Sequence, residues 1–515
     1  MGWEAEIDEL RRREALAKRM GGPDKVRRQH DGGKLTVRER IERLLDAGSF
    51  HEVGALTGVA RYGADGEIAE FTPANLVTGR GRIDERPVIV AGDDFTVRGG
   101  ANDAGIKAKL MLVERMAKDL RRPLIRLVDG TGGGGSVKNL EMLGYSPMPK
   151  AFLWDTWTDN LGEVPVVALA LGSVAGLGSA RVVASHYSVM VKDTSQLFVA
   201  GPPVVAITHR PYDKNELGGS HIHTRNGAVD DEAESEDEAF ARARRFLSYL
   251  PPSVYELAAR GECDDPPGRR EAWLIDAVPR DPRKVYNMRR IIGALVDRDS
   301  FFEIGRQWGR SVITGLARLE GWPVALMAED PMHYGGAWTA KASEKITRFV
   351  DLAQVFHLPV VHLVDIPGFL IGPDAERDAT IRSGMRAATA VLQSTVPWCS
   401  VLVRKVFGVA GAVHQNSTRY CMRVAWPSAE WGSLPIAGGL EAAYKAEIEA
   451  AADPAAKRAE IEARVRRYAS PMRSAEKFDV EEIIDPRDTR PLLCEFAALA
   501  APLREPGRVR FGPRP

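Results

Sequence analysis

Cysteine is scarce in this chain. Only four occur in 515 residues, at Cys263, Cys399, Cys421 and Cys494, and no two stand in a CxxC pair. That spacing excludes a disulfide framework and a zinc ribbon, and leaves four reduced thiols as the expectation for a cytoplasmic protein. Long apolar runs are lacking too. No stretch reaches the roughly 18 residues of a membrane span, and the longest candidate, residues 164–175, contains Pro165, Gly172 and Ser173. The first ten residues, MGWEAEIDEL, carry no apolar signal region, and Glu6 stands where N-myristoylation needs Ser or Thr. An excess of one charge is also missing: 70 Lys and Arg balance 70 Asp and Glu. This excludes a generally basic nucleic-acid binder and an acidic disordered tail. A neutral surface favours association unless it is covered, which points to an oligomer. Among catalytic signatures, neither GxSxG nor HExxH occurs.

What is present is an internal repeat. Pro87, Gly99, Gly100, Lys109, Pro123 and Asp129 recur as Pro323, Gly335, Gly336, Lys345, Pro359 and Asp365, each at an offset of 236 (for example 323 − 87). Upstream, LLDAGSFHEVG matches LVDRDSFFEIG at 297 − 46 = 251. The difference of 251 − 236 = 15 is read as the first half running shorter before the halves re-register. A breaker-rich stretch around residues 265–285 separates them, so the expected domains are 1–270 and 271–515. Within each half, apolar strands alternate with helical spacing (RPVIVAG, AGIKAKLMLVERMAKDLR, PLIRLVDG; PVALMAE, ASEKITRFVDLAQVF, PVVHLVDIPG), which implies an α/β fold. The Ala-, Glu-, Lys- and Arg-rich segment 440–468 and the start, Glu4 to Lys18, read as charged surface helices.

Two glycine-rich elements follow buried strands. In VALALGSVAGLGSARVV, Gly172, Gly176 and Gly178 lead into a helix; VLVRKVFGVAGAV repeats this with Gly408 and Gly411, and Val164-Pro165 matches Val396-Pro397. Small residues at a strand-to-helix turn can present successive backbone N–H groups to a developing oxyanion. A third glycine run, Gly132 to Gly135, lacks the Lys-Ser/Thr ending of a phosphate loop and reads as a loop that approaches a ligand backbone-first. His221 and His223 are spaced for one strand face, without the further ligands a metal site needs. His414 follows the second glycine turn and is a pocket candidate. Oxyanion stabilisation without an obvious nucleophile suits enolate chemistry on a thioester.

Several runs resemble the carboxyltransferase (β) subunit of biotin-dependent acyl-CoA carboxylases, the propionyl-CoA and methylcrotonoyl-CoA group. They are QHDGGKLTVRERIERLLDAGSF, DFTVRGG, NELGGSHIHTRNGAVD, ASEKITRFVDLAQVF, VDIPGFLIG, AWPSAE and IIDPRDTRPLL, spread from about Gly21 to Leu493. The resemblance implies two tandem crotonase-like ββα-superhelix domains, a hexamer, and a separate biotin carboxylase and carrier subunit, since no Met-Lys-Met attachment motif occurs here. It implies transfer of CO2 from carboxybiotin to an acyl-CoA enolate, with no metal in this subunit. The amide pairs it implies are Gly176 with Leu177, and Val409 with Ala410. Leu177 and Val409 are bulkier than the family pattern. Gly132, Gly133, Gly134, Ala412, His414 and Gln415 would line the acyl site; the Arg of the family's SGGAR-type loop is missing, and GAVHQNSTRY departs from the propionyl-type pattern. These departures suggest an acyl-CoA other than plain propionyl-CoA, polar or branched. Arg98, Lys107 and Lys109 would meet CoA phosphates, and Pro367, Gly368 and Phe369 the biotin approach. The alternatives are a methylmalonyl-CoA-type decarboxylase subunit running the transfer toward biotin, and an idle assembly subunit.

Overall fold

The computed structural model describes residues 2–100, 106–130, 141, 144–146, 148, 154–416 and 419–511. The chain divides into two units, Met1–Glu256 and Leu257–Arg514. The division precedes the expected boundary at 270 because the breaker-rich segment belongs to the second unit. Gly261 N–H donates to Gly321 O at 2.9 Å, and Arg490 Nη2 donates to Asp265 O at 3.1 Å.

Among the described residues, the main sheet of the first unit has seven strands in the order His51–Val53, Leu76–Ile83, Arg86–Asp93, Leu124–Val128, Val166–Ala170, Tyr187–Val191 and Asp231–Ala233. The first three pair antiparallel and the rest parallel. Leu124–Val128 and Val166–Ala170 are buried throughout, as expected for parallel strands covered on both faces.

The second unit repeats this order and these directions: Phe302–Ile304, Val312–Leu319, Trp322–Glu329, Val360–Ile366, Trp398–Phe407, Cys421–Ala425 and Glu482–Ile483. Even the register is copied. Leu76 pairs with Asp93 and Val312 with Glu329, so both partners shift by 236. The upstream helices Val37–Leu44 and Met288–Leu295 follow the other offset, 288 − 37 = 251. Thr36 and Asn287 cap them.

Here the expected length difference reverses sign. Between Val53 and Leu76 the first unit carries an additional antiparallel ribbon, Gly58–Tyr62 with Ile68–Pro73, where the second passes directly from Ile304 to Val312. The first half is therefore the longer one in this stretch. The offset alone gives a magnitude, and reading its direction requires tracking which half gains residues.

The halves also differ beside the glycine turns. Trp398–Phe407 runs unbroken into the second turn, and its last residues, Lys405 to Phe407, pair with Glu430–Gly432. In the first unit the matching strand breaks at Leu171-Gly172 and resumes as Ser173–Ala175, paired with Gln196–Phe198. Two contacts account for the break. Leu171 O accepts from Arg40 Nη2 at 2.9 Å, and Gly172 packs so tightly on the Asp129 carboxylate that a Cβ would lie 1.9 Å from its oxygen.

Glu4–Lys18 is helical as expected. The later charged segment forms Ile436–Ala443, Lys445–Glu449 and Pro454–Arg466, with Leu440, Ile448 and Ile461 as their small shared core. No helix among the described residues is long and apolar enough to cross a membrane.

Candidate active site

Both glycine turns follow the carboxyl ends of parallel strands, where open α/β sheets place ligands. Each needs a backbone conformation that L side chains rarely adopt: Gly176 has φ 58° and Gly408 has φ 63°. The strands feeding them are 398 − 166 = 232 apart, and so are the two glycines. Gly176 is thus equivalent to Gly408, Leu177 to Val409, and Gly178 to Ala410.

The helices Leu177–Val183 and Gly408–Ala412 start at these turns. Gly176 N–H is already engaged, donating to Phe198 O at 3.2 Å. It supplies the bend, and the neighbouring amides of Leu177 and Gly178 have no hydrogen-bond partner among the described residues. In the second unit the amides of Val409 and Ala410 are likewise without a partner among the described residues. At the first turn the amides without a partner among the described residues are thus those of Leu177 and Gly178, and that of Gly176, expected with Leu177 as a pair, is engaged.

The two bulkier side chains behave differently. Leu177 packs against the core that contains Leu76, Leu110 and Trp157. Val409 is 55% exposed and shares the open face of its short helix with Ala412. His414 turns inward: it is buried, its Nδ1 donates to Gly411 O at 2.6 Å, and burial pushes its imidazole down to about 4. The ring is neutral at physiological pH. Gln415 is half-buried with its Oε1 unpaired among the described residues, and Asn416 is buried, donating to Val396 O at 2.9 Å.

Pro367, Gly368 and Phe369 follow the strand Val360–Ile366, whose Ile366 pairs with Val406. A Cβ on Gly368 would lie 3.9 Å from Phe407 O, so this loop and the second turn adjoin. Gly368 O accepts from Trp338 N–H at 3.1 Å, and the Phe369 ring meets Trp338 edge-on at 6.0 Å.

The cations proposed for CoA separate. Arg98 and Lys107 are exposed, Arg98 in the turn Arg98–Gly100 that packs on Asp129 and Gly130. Lys109 is buried, donates to Leu76 O at 2.6 Å and Gly54 O at 3.2 Å, and is pushed down to about 8 by burial. Its ammonium is committed to the backbone and is withdrawn as a phosphate ligand. Gly132, Gly133 and Gly134 lie outside the described residues. His221 and His223 belong to the helix Ser220–Asn226 rather than to a strand; at this spacing they do not share a face, and His223 Nε2 bonds Leu197 O at 2.8 Å.

Sequence reasoning passed over the groups that hold the turns. Arg126, fully buried, donates through Nη1 to Arg181 O at 3.0 Å and Ala184 O at 2.6 Å, at the far end of the first turn's helix. Its other nitrogens form a fork with Glu114, both at 2.9 Å. The position 236 later is His362, also fully buried; its Nδ1 donates to His414 O at 2.8 Å, just past the second turn's helix. Asp93 and Glu329 correspond as well: each accepts the amide of its unit's aspartate, Asp129 at 3.2 Å and Asp365 at 2.9 Å. Asp93 then binds Arg181 on the turn helix at 2.8 Å, and Glu329 binds His362 at 3.0 Å. A signal was available. Arg126 and His362 are the only charged or ionisable residues within LIRLV and VVHLV, strands otherwise apolar.

A family profile described as "Carboxyl transferase domain" matches residues 28–507. The propionyl-CoA carboxylase carboxyltransferase subunit of Haloferax mediterranei is 33% identical over 496 residues, covering 95% of each chain. The methylmalonyl-CoA decarboxylase subunit alpha of Veillonella parvula is 31% identical over 503 residues, covering 97% of this chain and 96% of that one. Among solved structures, transcarboxylase 12S, a hexamer with methylmalonyl-coenzyme A and methylmalonic acid bound, superposes with a TM-score of 0.88 at 30% identity over 99% of this chain and 98% of its own.

Proposed function

Because the chain belongs to the carboxyl transferase family and is a carboxyltransferase of the propionyl-CoA carboxylase and transcarboxylase type with a crotonase-like fold, we propose that it carboxylates an acyl-CoA with CO2 carried by biotin on a separate subunit. The observation that carries this reading is the paired turn. Leu177 with Gly178, and Val409 with Ala410, each offer two adjacent amides at equivalent register.

Two N–H donors converging on one oxygen fit a ureido or enolate oxyanion, and fixed backbone dipoles stabilise such charge without reorganising. Carboxybiotin, when its carrier docks, supplies the CO2 and the base for the substrate's α-proton. This chain's residues do the holding. One turn carries the thioester oxygen as the enolate forms, and the other carries the ureido oxygen. Pro367 to Phe369 border the second turn and form the approach for the biotin side. Arg98 and Lys107, both exposed, are the cations proposed to meet CoA phosphates. A hexamer, as reported for transcarboxylase 12S, accounts for a neutral surface that needs covering.

Val409 and Ala412 give the second turn an apolar open face, while His414 and Asn416 point their polar atoms inward. Of the two substrate classes expected from the sequence, this favours a branched apolar acyl group over a polar one. Carboxylation assays across a panel of acyl-CoAs, with a biotin carboxylase and carrier supplied, test the proposal. Preferred turnover of a branched or longer acyl-CoA is expected; a clear preference for propionyl-CoA overturns the substrate class. The Veillonella relative favours a second reading, transfer from a carboxylated acyl-CoA toward biotin. Decarboxylation of methylmalonyl-CoA outpacing carboxylation would establish that direction.

A further inference from the structure

The Arg126 and His362 positions share a register but not a chemistry. Arg126 is a guanidinium, a fork of donors with no acceptor. His362 has two ring nitrogens, and both face acceptors. Nδ1 meets His414 O at 2.8 Å; Nε2 meets Glu329 Oε1 at 3.0 Å and Oε2 at 3.2 Å. A carbonyl cannot donate, so Nδ1 must carry a hydrogen. Nε2 and Glu329 must then share one further proton, since a bare nitrogen lone pair against a bare carboxylate would leave both groups unsatisfied.

The surroundings fix this arrangement. Glu329 also accepts from Trp338 Nε1 at 3.1 Å and from Asp365 N–H at 2.9 Å, so its oxygens are oriented as acceptors. The His414 carbonyl also accepts from Trp398 Nε1 and Ser400 Oγ, both at 3.0 Å. His362 and Glu329 are fully buried, which keeps water from replacing either hydrogen bond. The other titratable groups near the pair are accounted for. The His414 ring is held neutral by burial, and Asp365 is clamped by Arg404 at 3.0 Å and by Tyr286 at 2.9 Å. Arg423, which also acts on the His414 ring, is tied to Glu481 at 2.8 Å.

We infer that His362 is a positioning residue for the second glycine turn, holding the chain after it through a ring whose second nitrogen is anchored on Glu329, the task that Arg126 performs for the first turn. The catalytic consequence rests on the reading of the second turn as an oxyanion site; the hold itself does not.

The test uses the full-length chain in its native assembly, with His362→Gln and Glu329→Gln. Hydrogen exchange is followed by mass spectrometry in peptides covering 398–416 and 177–184. In both variants, exchange in the segment 408–416 should rise about tenfold or more while 177–184 stays as in the wild type. Unchanged exchange of 408–416 in either variant overturns the inference. In parallel, His362→Gln should lower kcat for carboxyl transfer about tenfold or more while the KM for acyl-CoA stays within about twofold of the wild type. A raised KM with kcat unchanged also overturns it. Absence of any transfer by the wild type would instead sink the proposed function, with the exchange measurement still deciding the hold.

Discussion

Lys109 and Lys345 perform one task 345 − 109 = 236 positions apart: each buried ammonium donates to two backbone carbonyls, Leu76 and Gly54 for Lys109, Val312 and Trp308 for Lys345. Each ties its helix to the start of the second strand of its sheet. The repeated spacing of these lysines reflects a structural tether made twice, in place of the phosphate-binding role that the resemblance suggested for Lys109.

Replacing Lys109 with Met separates the two roles. Two buried carbonyls lose their donor, at about 1–3 kcal/mol of stability. The apparent KM for acyl-CoA should stay within about twofold of the wild type, since the ammonium does not face solvent. Thermal unfolding and substrate titration check this; a raised KM with unchanged stability would restore the phosphate-binding role.

Ala410→Pro should remove one oxyanion donor and also strain the fully buried site its ring enters, so thermal unfolding is followed beside the kinetics. Proline is tolerated in a helix's first turn, where the missing N–H had no intrahelical acceptor. A loss of about 10²–10³ in kcat is expected. Val409→Ala keeps its amide and should stay within about tenfold of the wild type, with its main effect on acyl-chain preference. Steady-state kinetics of both variants give the comparison.

His414 makes an acid limb of stability. Its folded value is about 4 and its ordinary value 6.5, so between them the unfolded chain binds more protons. Stability therefore falls as pH drops from 6.5 to about 4 and is not lost further below, by about 3 kcal/mol for the full shift. Denaturant titration of wild type and His414→Met across this range should show the slope in the former and a shallower one in the latter.

Cutting the Arg126–Glu114 fork on one side leaves a buried charge alone. Arg126→Met should cost about 3–5 kcal/mol, and the double change with Glu114→Met should recover part of it. A double-mutant cycle by chemical denaturation measures the coupling; simple additivity would contradict the buried pair.

The repeat was legible because the two halves keep both their spacing and their breakers: Pro87 and Pro323 open matching strands, and Gly100 and Gly336 occupy matching turns. The strands were legible because VVALA is a continuous apolar run and LIRLV is apolar except for Arg126. Identity-based matching hid the turn clamps, since Arg126 corresponds to a histidine and Asp93 to a glutamate. Gly176 looked like a donor because sequence cannot tell which amide of a turn is already spent on a neighbouring strand. His414 looked available because polarity in a sequence carries no direction; only the packing of Gly411 O against its Nδ1 turns it inward.

The break at Leu171-Gly172 has a practical consequence for handling this protein. Arg40, on an early helix that could pass for dispensable, uses its guanidinium on Leu171 O, Asp129 and Glu236 together. That side chain braces the strand that delivers the first turn. A shortened version for expression, or a fusion placed close to residue 40, would therefore disturb the first glycine turn from a distance in sequence, and trimming should stop well before the Thr36 cap.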